Sequence, residues 1–139
     1  MRGEGPDRPL AETTAGFGNG YVATVAGLTG TMLAFAVTDT SRYDACAGWT
    51  VITTFDARTG LSLREVELPN CGADAPPRRW RSAITRDGVF AWLAADRLLV
   101  GGADGKPAEL DRGAITGLRA EGDLILWSHA GEPRAADPP

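Results

Sequence analysis

The chain has 139 residues, 43% hydrophobic and 23% charged, which suffices for one ordinary globular domain. Fourteen Lys and Arg against 18 Asp and Glu leave a net charge of −4, which argues against a sequence-independent grip on nucleic acid. Eighteen glycines and nine prolines imply many turns between short elements.

Residues 1–16, with Gly, Pro, Glu, Arg and Thr and little to bury, read as a disordered leader. They lack the apolar h-region of a secretory signal. Residues 13–37 carry no charge, and that length would suit a membrane span. Gly16, Gly18, Asn19, Gly20, Gly27 and Gly30 interrupt it, so two strands joined at Leu28-Thr29-Gly30 are the better reading.

Strands are expected near 20–28, 31–39, 48–56, 61–68, 82–86, 89–95, 97–102, 107–111, 115–120 and 123–129. No run of ten residues holds a helical period. Segment 69–80 is a Pro-rich connection, and GEPRAADPP at the end reads as trailing off the surface. The repeat domain is placed at 17–136, with 137–139 as a tail.

The chain is organised around a hairpin over 46–71. Its turn, Ala57-Arg58-Thr59-Gly60, needs a residue at positive φ, which Gly60 supplies. With Asp56 opposite Leu61, opposed residues sum to 117, and Cys46 falls opposite Cys71. In that register Trp49 faces Leu68 and Val51 faces Val66. Thr53 and Phe55 share this buried side, while Thr50–Glu67 and Ile52–Glu65 form the wet side. Paired strand residues lie within disulfide reach, and a Cys46–Cys71 bridge would stabilise by roughly 3.5 kcal/mol. The alternative is two buried free thiols. A bridge would place the protein in an oxidising compartment, extracellular or at the cell surface.

Three stretches share a layout of β run, glycine turn and apolar strand ending in an aromatic: 25–35, 83–92 and 117–127, closing on Phe35, Trp92 and Trp127. Antiparallel units of this size suggest propeller blades, each burying a face on its neighbour. The turn FDARTG (55–60) resembles the Asp-x-x-Thr-Gly turn of quinoprotein-like and WD-type β-propeller blades. The blocks 86–113 and 115–136 resemble the final blades of uncharacterised actinobacterial propeller-like proteins, through a DG-x-x-AW strand and a G-x-x-x-x-W-x-x-x-G strand. The tryptophan that often follows the Thr-Gly turn in such repeats is replaced by Leu61-Ser62-Leu63-Arg64, and no residue set would hold a quinone. The resemblance implies an all-β fold of antiparallel sheets stacked as two to three propeller-like blades, an incomplete propeller. Two or three blades cannot close a ring, so the chain is the end of a longer protein, an oligomer-forming piece, or a compact β-sandwich.

Candidate sites are sparse. His129 is the single histidine, and with two cysteines claimed by the hairpin it makes no zinc set. Ser128 or Ser82 with His129 and an Asp is a triad only on paper, because adjacent Ser128 and His129 point to opposite strand faces. The glycine runs 16–20 and 101–105 precede no helix and read as turns. Asp39 and Asp44, with Thr38, Thr40 and Ser41, match no EF-hand spacing and read as a polar loop. No catalytic, cofactor or metal residue is therefore assigned. Arg78-Arg79-Trp80-Arg81 is the one basic and aromatic cluster, and Arg79, Trp80 and Arg81 are the candidate interaction residues. The expected function is a non-catalytic interaction or scaffold module. It would take a protein partner or self-associate through open sheet edges, with no cofactor, nucleic acid or membrane span. The competing reading is an enzyme or glycan-binding domain whose site forms from loops 38–48 and 69–80.

Overall fold

The computed structural model describes residues 21–39 and 45–138. The expected leader lies outside them, as do Thr40, Ser41 and Asp44. The protein is all-β: three antiparallel sheets stacked face to face in an open array. The first sheet joins β1 (Tyr21–Thr29), β2 (Met32–Asp39), β3 (Trp49–Asp56) and β4 (Leu61–Pro69) in chain order. The second joins β5 (Ser82–Ile84), β6 (Phe90–Ala94), β7 (Arg97–Gly101) and β8 (Pro107–Arg112), also in order. The third has β9 (Ile115–Glu121), β10 (Leu124–His129) and β11 (Glu132–Ala136), with β10 central. Among the described residues no helix is long and apolar enough to cross a membrane.

Two cores follow from this stacking. Between the first and second sheets lie Ala34, Ile52, Val66 and Leu68 against Ile84, Phe90, Trp92 and Leu99. Between the second and third lie Ala91, Leu98 and Val100 against Ile125 and Trp127. The middle sheet is buried on both faces, which is why VFAWLA and LLVG are apolar without alternation. Each fully buried Leu or Ile contributes roughly 1.5–3 kcal/mol of transfer free energy.

The central hairpin forms, but its register differs from the expected one. At the turn Asp56 pairs with Leu61 and Phe55 with Ser62. A bulge then shifts the ladder, so that Thr54 pairs with Arg64, Ile52 with Val66 and Thr50 with Leu68. The extra residue is Leu63. A shift of one position turns every β3 side chain to the opposite face. Thr50, Ile52 and Thr54 are therefore buried against the second sheet, while Trp49, Val51, Thr53 and Phe55 point outward. The expected pairs Trp49–Leu68 and Val51–Val66 are replaced by Trp49–Pro69 and Val51–Glu67.

The physical reason lies partly in the neighbouring sheet and partly in polar groups of the first sheet and the residue after β4. Thr54 donates its hydroxyl to the Gly88 carbonyl at 2.7 Å. Thr50 donates to Asn70 Oδ1 at 2.9 Å and meets the Thr38 hydroxyl at 2.9 Å. These threonines thus enter the core with their polar atoms satisfied. Gly88 has φ +88°, and a Cβ there would lie 2.5 Å from Leu63 Cβ, so the bulge seats against a residue with no side chain.

Cys46 and Cys71 lie at bonding distance, with Cα atoms 5.1 Å apart. Cys46 sits in a 3-10 turn over Ala45–Ala47 just before β3, and Cys71 follows β4. The pair survives the shift because both residues lie beyond the ladder. The C-terminal stretch is corrected as well: Glu132–Ala136 pairs with β10 rather than trailing off. Its tight turn places both Ala130 and Gly131 at positive φ, the geometry of a type I′ hairpin.

Candidate functional site

The first strands of the three sheets lie together along one side of the stack, with β5 against both β1 and β9. Ser82 donates to the Ala26 carbonyl at 2.7 Å, and the Ile84 amide donates to Thr29 Oγ1 at 3.2 Å. Gly27 permits this approach, since a Cβ there would sit 2.5 Å from Ser82 Oγ. An open groove of about 800 Å³ runs over these strands. Its walls are Val25–Leu28 of β1, Arg79–Ser82 leading into β5, Leu93, and Ile115–Leu118 of β9.

The groove therefore holds all three candidate interaction residues. Trp80 is the anchor: its ring packs edge-on against Phe90 at 5.6 Å and Trp92 at 6.5 Å. Trp80 is half-buried, while the flanking Arg79 and Arg81 are exposed.

Charge pairing singles these arginines out. Arg58, Arg86, Arg97, Arg112, Arg119 and Arg134 each hold a carboxylate. Arg78, Arg79 and Arg81 hold none among the described residues, and no Asp or Glu lines the groove. On a chain of net charge −4, this concavity combines an apolar floor with uncompensated positive charge.

The histidine sits elsewhere. Asp111 Oδ2 accepts Trp127 Nε1–H at 2.8 Å and meets His129 Nδ1 at 2.9 Å. These bonds, led by the indole, hold the Asp111 carboxyl down at about 2. The ionised carboxylate can only accept, so Nδ1 of His129 carries the proton. The cluster fastens β8 to β10 across the second core. Ser128 pairs with Thr116 and Pro133 on the far face of the third sheet, and Ser82 is engaged with Ala26. The two paper triads are not assembled. Among the described residues no group of three or more His, Cys, Asp or Glu converges as a metal set.

The two long loops do meet. Besides Cys46–Cys71, Asn70 Nδ2 donates to the Asp39 carbonyl at 3.0 Å. Arg97 holds the Ala73 carbonyl at 3.1 Å and Asp74 at 2.9 Å, fastening the Pro-rich connection to the second sheet. A shallow depression of about 590 Å³ lies beside them, lined by Trp49, Glu67, Asp74 and Lys106 among others. Trp80 and His129 are not part of it.

Sequence reading found the arginine–tryptophan cluster but not the surface it belongs to. The missing signal is the ion pairing of other arginines, which for Arg86 and Arg97 depends on carboxylates distant in sequence. No protein-family model, no curated protein and no solved structure matches the chain.

Proposed function

We propose that this protein is a non-catalytic interaction module of propeller-like build, which receives an acidic protein segment in the groove along β1, β5 and β9. The observation that carries the reading is the pair Arg79 and Arg81, exposed and without a carboxylate among the described residues, above an apolar floor. Arginine forks form paired, charge-assisted bonds to carboxylates, so an Asp- or Glu-rich strand supplies what the groove lacks. The propeller-like part is supported by the placement of the three similar stretches. They form the hairpins β1–β2, β5–β6 and β9–β10, the corresponding place in each sheet. Cysteines at bonding distance support an oxidising compartment.

The test is a titration of a fluorescein-labelled oligoglutamate peptide, read by anisotropy at low salt. Saturable binding is expected, weakened roughly tenfold in Arg79→Ala and again in Arg81→Ala, on the order of one charge-assisted bond each. Arg119→Ala on the third sheet is the control, since that arginine already holds Glu121. Equal weakening by Arg119→Ala, or no saturation, would sink the reading.

A second reading rests on the depression beside the disulfide, where Trp49 is 41% exposed next to Glu67, Asp74 and Lys106. An aromatic plane with flanking polar groups suits a sugar ring. Trp49→Ala should then abolish retention on a glycan array and leave oligoglutamate binding unchanged.

A further inference from the structure

The groove is bordered by an open sheet edge. β1 ends the first sheet, and among the described residues no strand pairs with its other side. Val22 is 40% exposed and Val25 56%, so apolar surface on this strand lies uncovered. The edge has a definite phase. Gly30 and Thr31 form a two-residue turn, with Gly30 at φ +59° and Thr29 opposite Met32. Residues flanking such a turn exchange hydrogen bonds, and the exchange alternates along the ladder. Ala36 and Thr38 stand in phase with Met32 on β2, so they bond their partners Thr24 and Val22. Tyr21 and Ala23 therefore turn their backbone groups to the open side.

We propose that residues 12–18 of this chain fold back along β1 as an added strand and set the Glu12 carboxylate on the groove's arginines. The inference rests on the groove reading above and names an occupant for it: an acidic segment carried by the chain itself. Asn19-Gly20 directly precedes β1. It is the pair best suited to a two-residue type I′ turn, in which both positions take positive φ. That turn sets Gly18 opposite Tyr21, and opposed residues sum to 39. Gly18–Tyr21 and Gly16–Ala23 become the bonded pairs, which is the phase the open edge offers. Phe17 falls beside Val22, an aromatic on a β-branched residue, and Thr14 falls beside Val25. The pairing stops there, because the Ser82 hydroxyl already holds the Ala26 carbonyl. Glu12 lies two residues beyond Thr14, roughly 7 Å further, where Val25 gives way to the groove with Arg79 and Arg81. It is the one carboxylate between residues 8 and 20. Arginine forks take it as they would an external carboxylate, so the segment competes with a partner and sets how tightly the groove receives one.

Two measurements on the full chain test this. Positions 17 and 22 form a pair within disulfide reach. In a glutathione redox buffer, Phe17→Cys/Val22→Cys should close a second intrachain disulfide at least roughly tenfold more favourably than Gly16→Cys/Val22→Cys, read by mass after alkylation. The latter pair points to opposite faces, and an unpaired segment would close both alike. In the oligoglutamate titration, Glu12→Gln should tighten binding roughly three- to tenfold. Glu65→Gln, the same change of charge on β4, should not. Equal closure of the two cysteine pairs, or a bridge between two chains, overturns the proposal. Unchanged affinity in Glu12→Gln, with Arg79→Ala still weakening binding, overturns it and leaves the groove reading standing. Absence of saturation in both wild type and Glu12→Gln overturns the two together.

Discussion

Gly88, in the turn between β5 and β6, links the register of the first sheet to the second, and replacing it should cost far more than replacing Gly60, the turn glycine of the central hairpin. In Gly88→Ala the backbone must hold φ +88° with a side chain present, which costs roughly 1–2 kcal/mol. The new methyl would also lie 2.5 Å from Leu63 Cβ and 2.9 Å from Thr54 Oγ1. Relieving that overlap adds roughly 1–3 kcal/mol, and displacing the Thr54–Gly88 bond about 1 kcal/mol more. The sum is roughly 3–6 kcal/mol, a large part of a domain's stability. Gly60→Ala is the reference: φ is +75°, but nothing lies within 4 Å of the added atom, so only the roughly 1–2 kcal/mol of backbone strain applies. Urea denaturation of both variants, followed by far-UV circular dichroism at one pH, measures the difference. Equal midpoints for Gly88→Ala and Gly60→Ala would refute the argument that Leu63 and Thr54 set the bulge.

Three further outcomes follow from packing and charge. Ile52→Ala should destabilise by roughly 2–5 kcal/mol, while Val51→Ala on the outer face should cost under about half as much in dilute solution. The reverse order in thermal melts would restore the unbulged register. Reducing Cys46–Cys71, or replacing both by Ser, should lower stability by roughly 3.5 kcal/mol for a loop of 25 residues, read as a lower melting temperature with reductant. Asp111 titrates near 2 in the folded state, below its ordinary value of 3.8, chiefly through the Trp127 bond. Its contribution is therefore complete above about pH 4 and is lost as pH falls through about 2. Melting temperatures from pH 5 to pH 2 should fall less steeply in Asp111→Asn than in wild type, and parallel curves would count against that coupling.

The strands were legible because their signals are local. Gly30, Gly60 and Gly122 punctuate apolar runs, and the turn on Asp56 is closed by its own chain, with the Gly60 amide donating to the Asp56 carbonyl at 2.7 Å. Which side of β3 is buried was not legible. Alternation of Trp, Val and Phe against Thr, Ile and Thr points the wrong way unless the acceptors at Gly88 and Asn70 are known, and both are distant in sequence. Strand β11 was hidden because Pro133, Ala135 and Ala136 carry little apolar signal, and because Ala130-Gly131 is an unusual pair for its turn. The groove was half legible: the Arg–Trp–Arg motif stands out, but its lack of carboxylates is a property of the folded neighbourhood.

The four tryptophans divide the molecule optically. Trp49 stands on the open side of the first sheet, Trp80 beside the groove, Trp92 between the first two layers and Trp127 between the last two. Each layer boundary thus carries its own chromophore. Chains retaining one indole at a time could report whether the layers separate in a single event or peel off one after another.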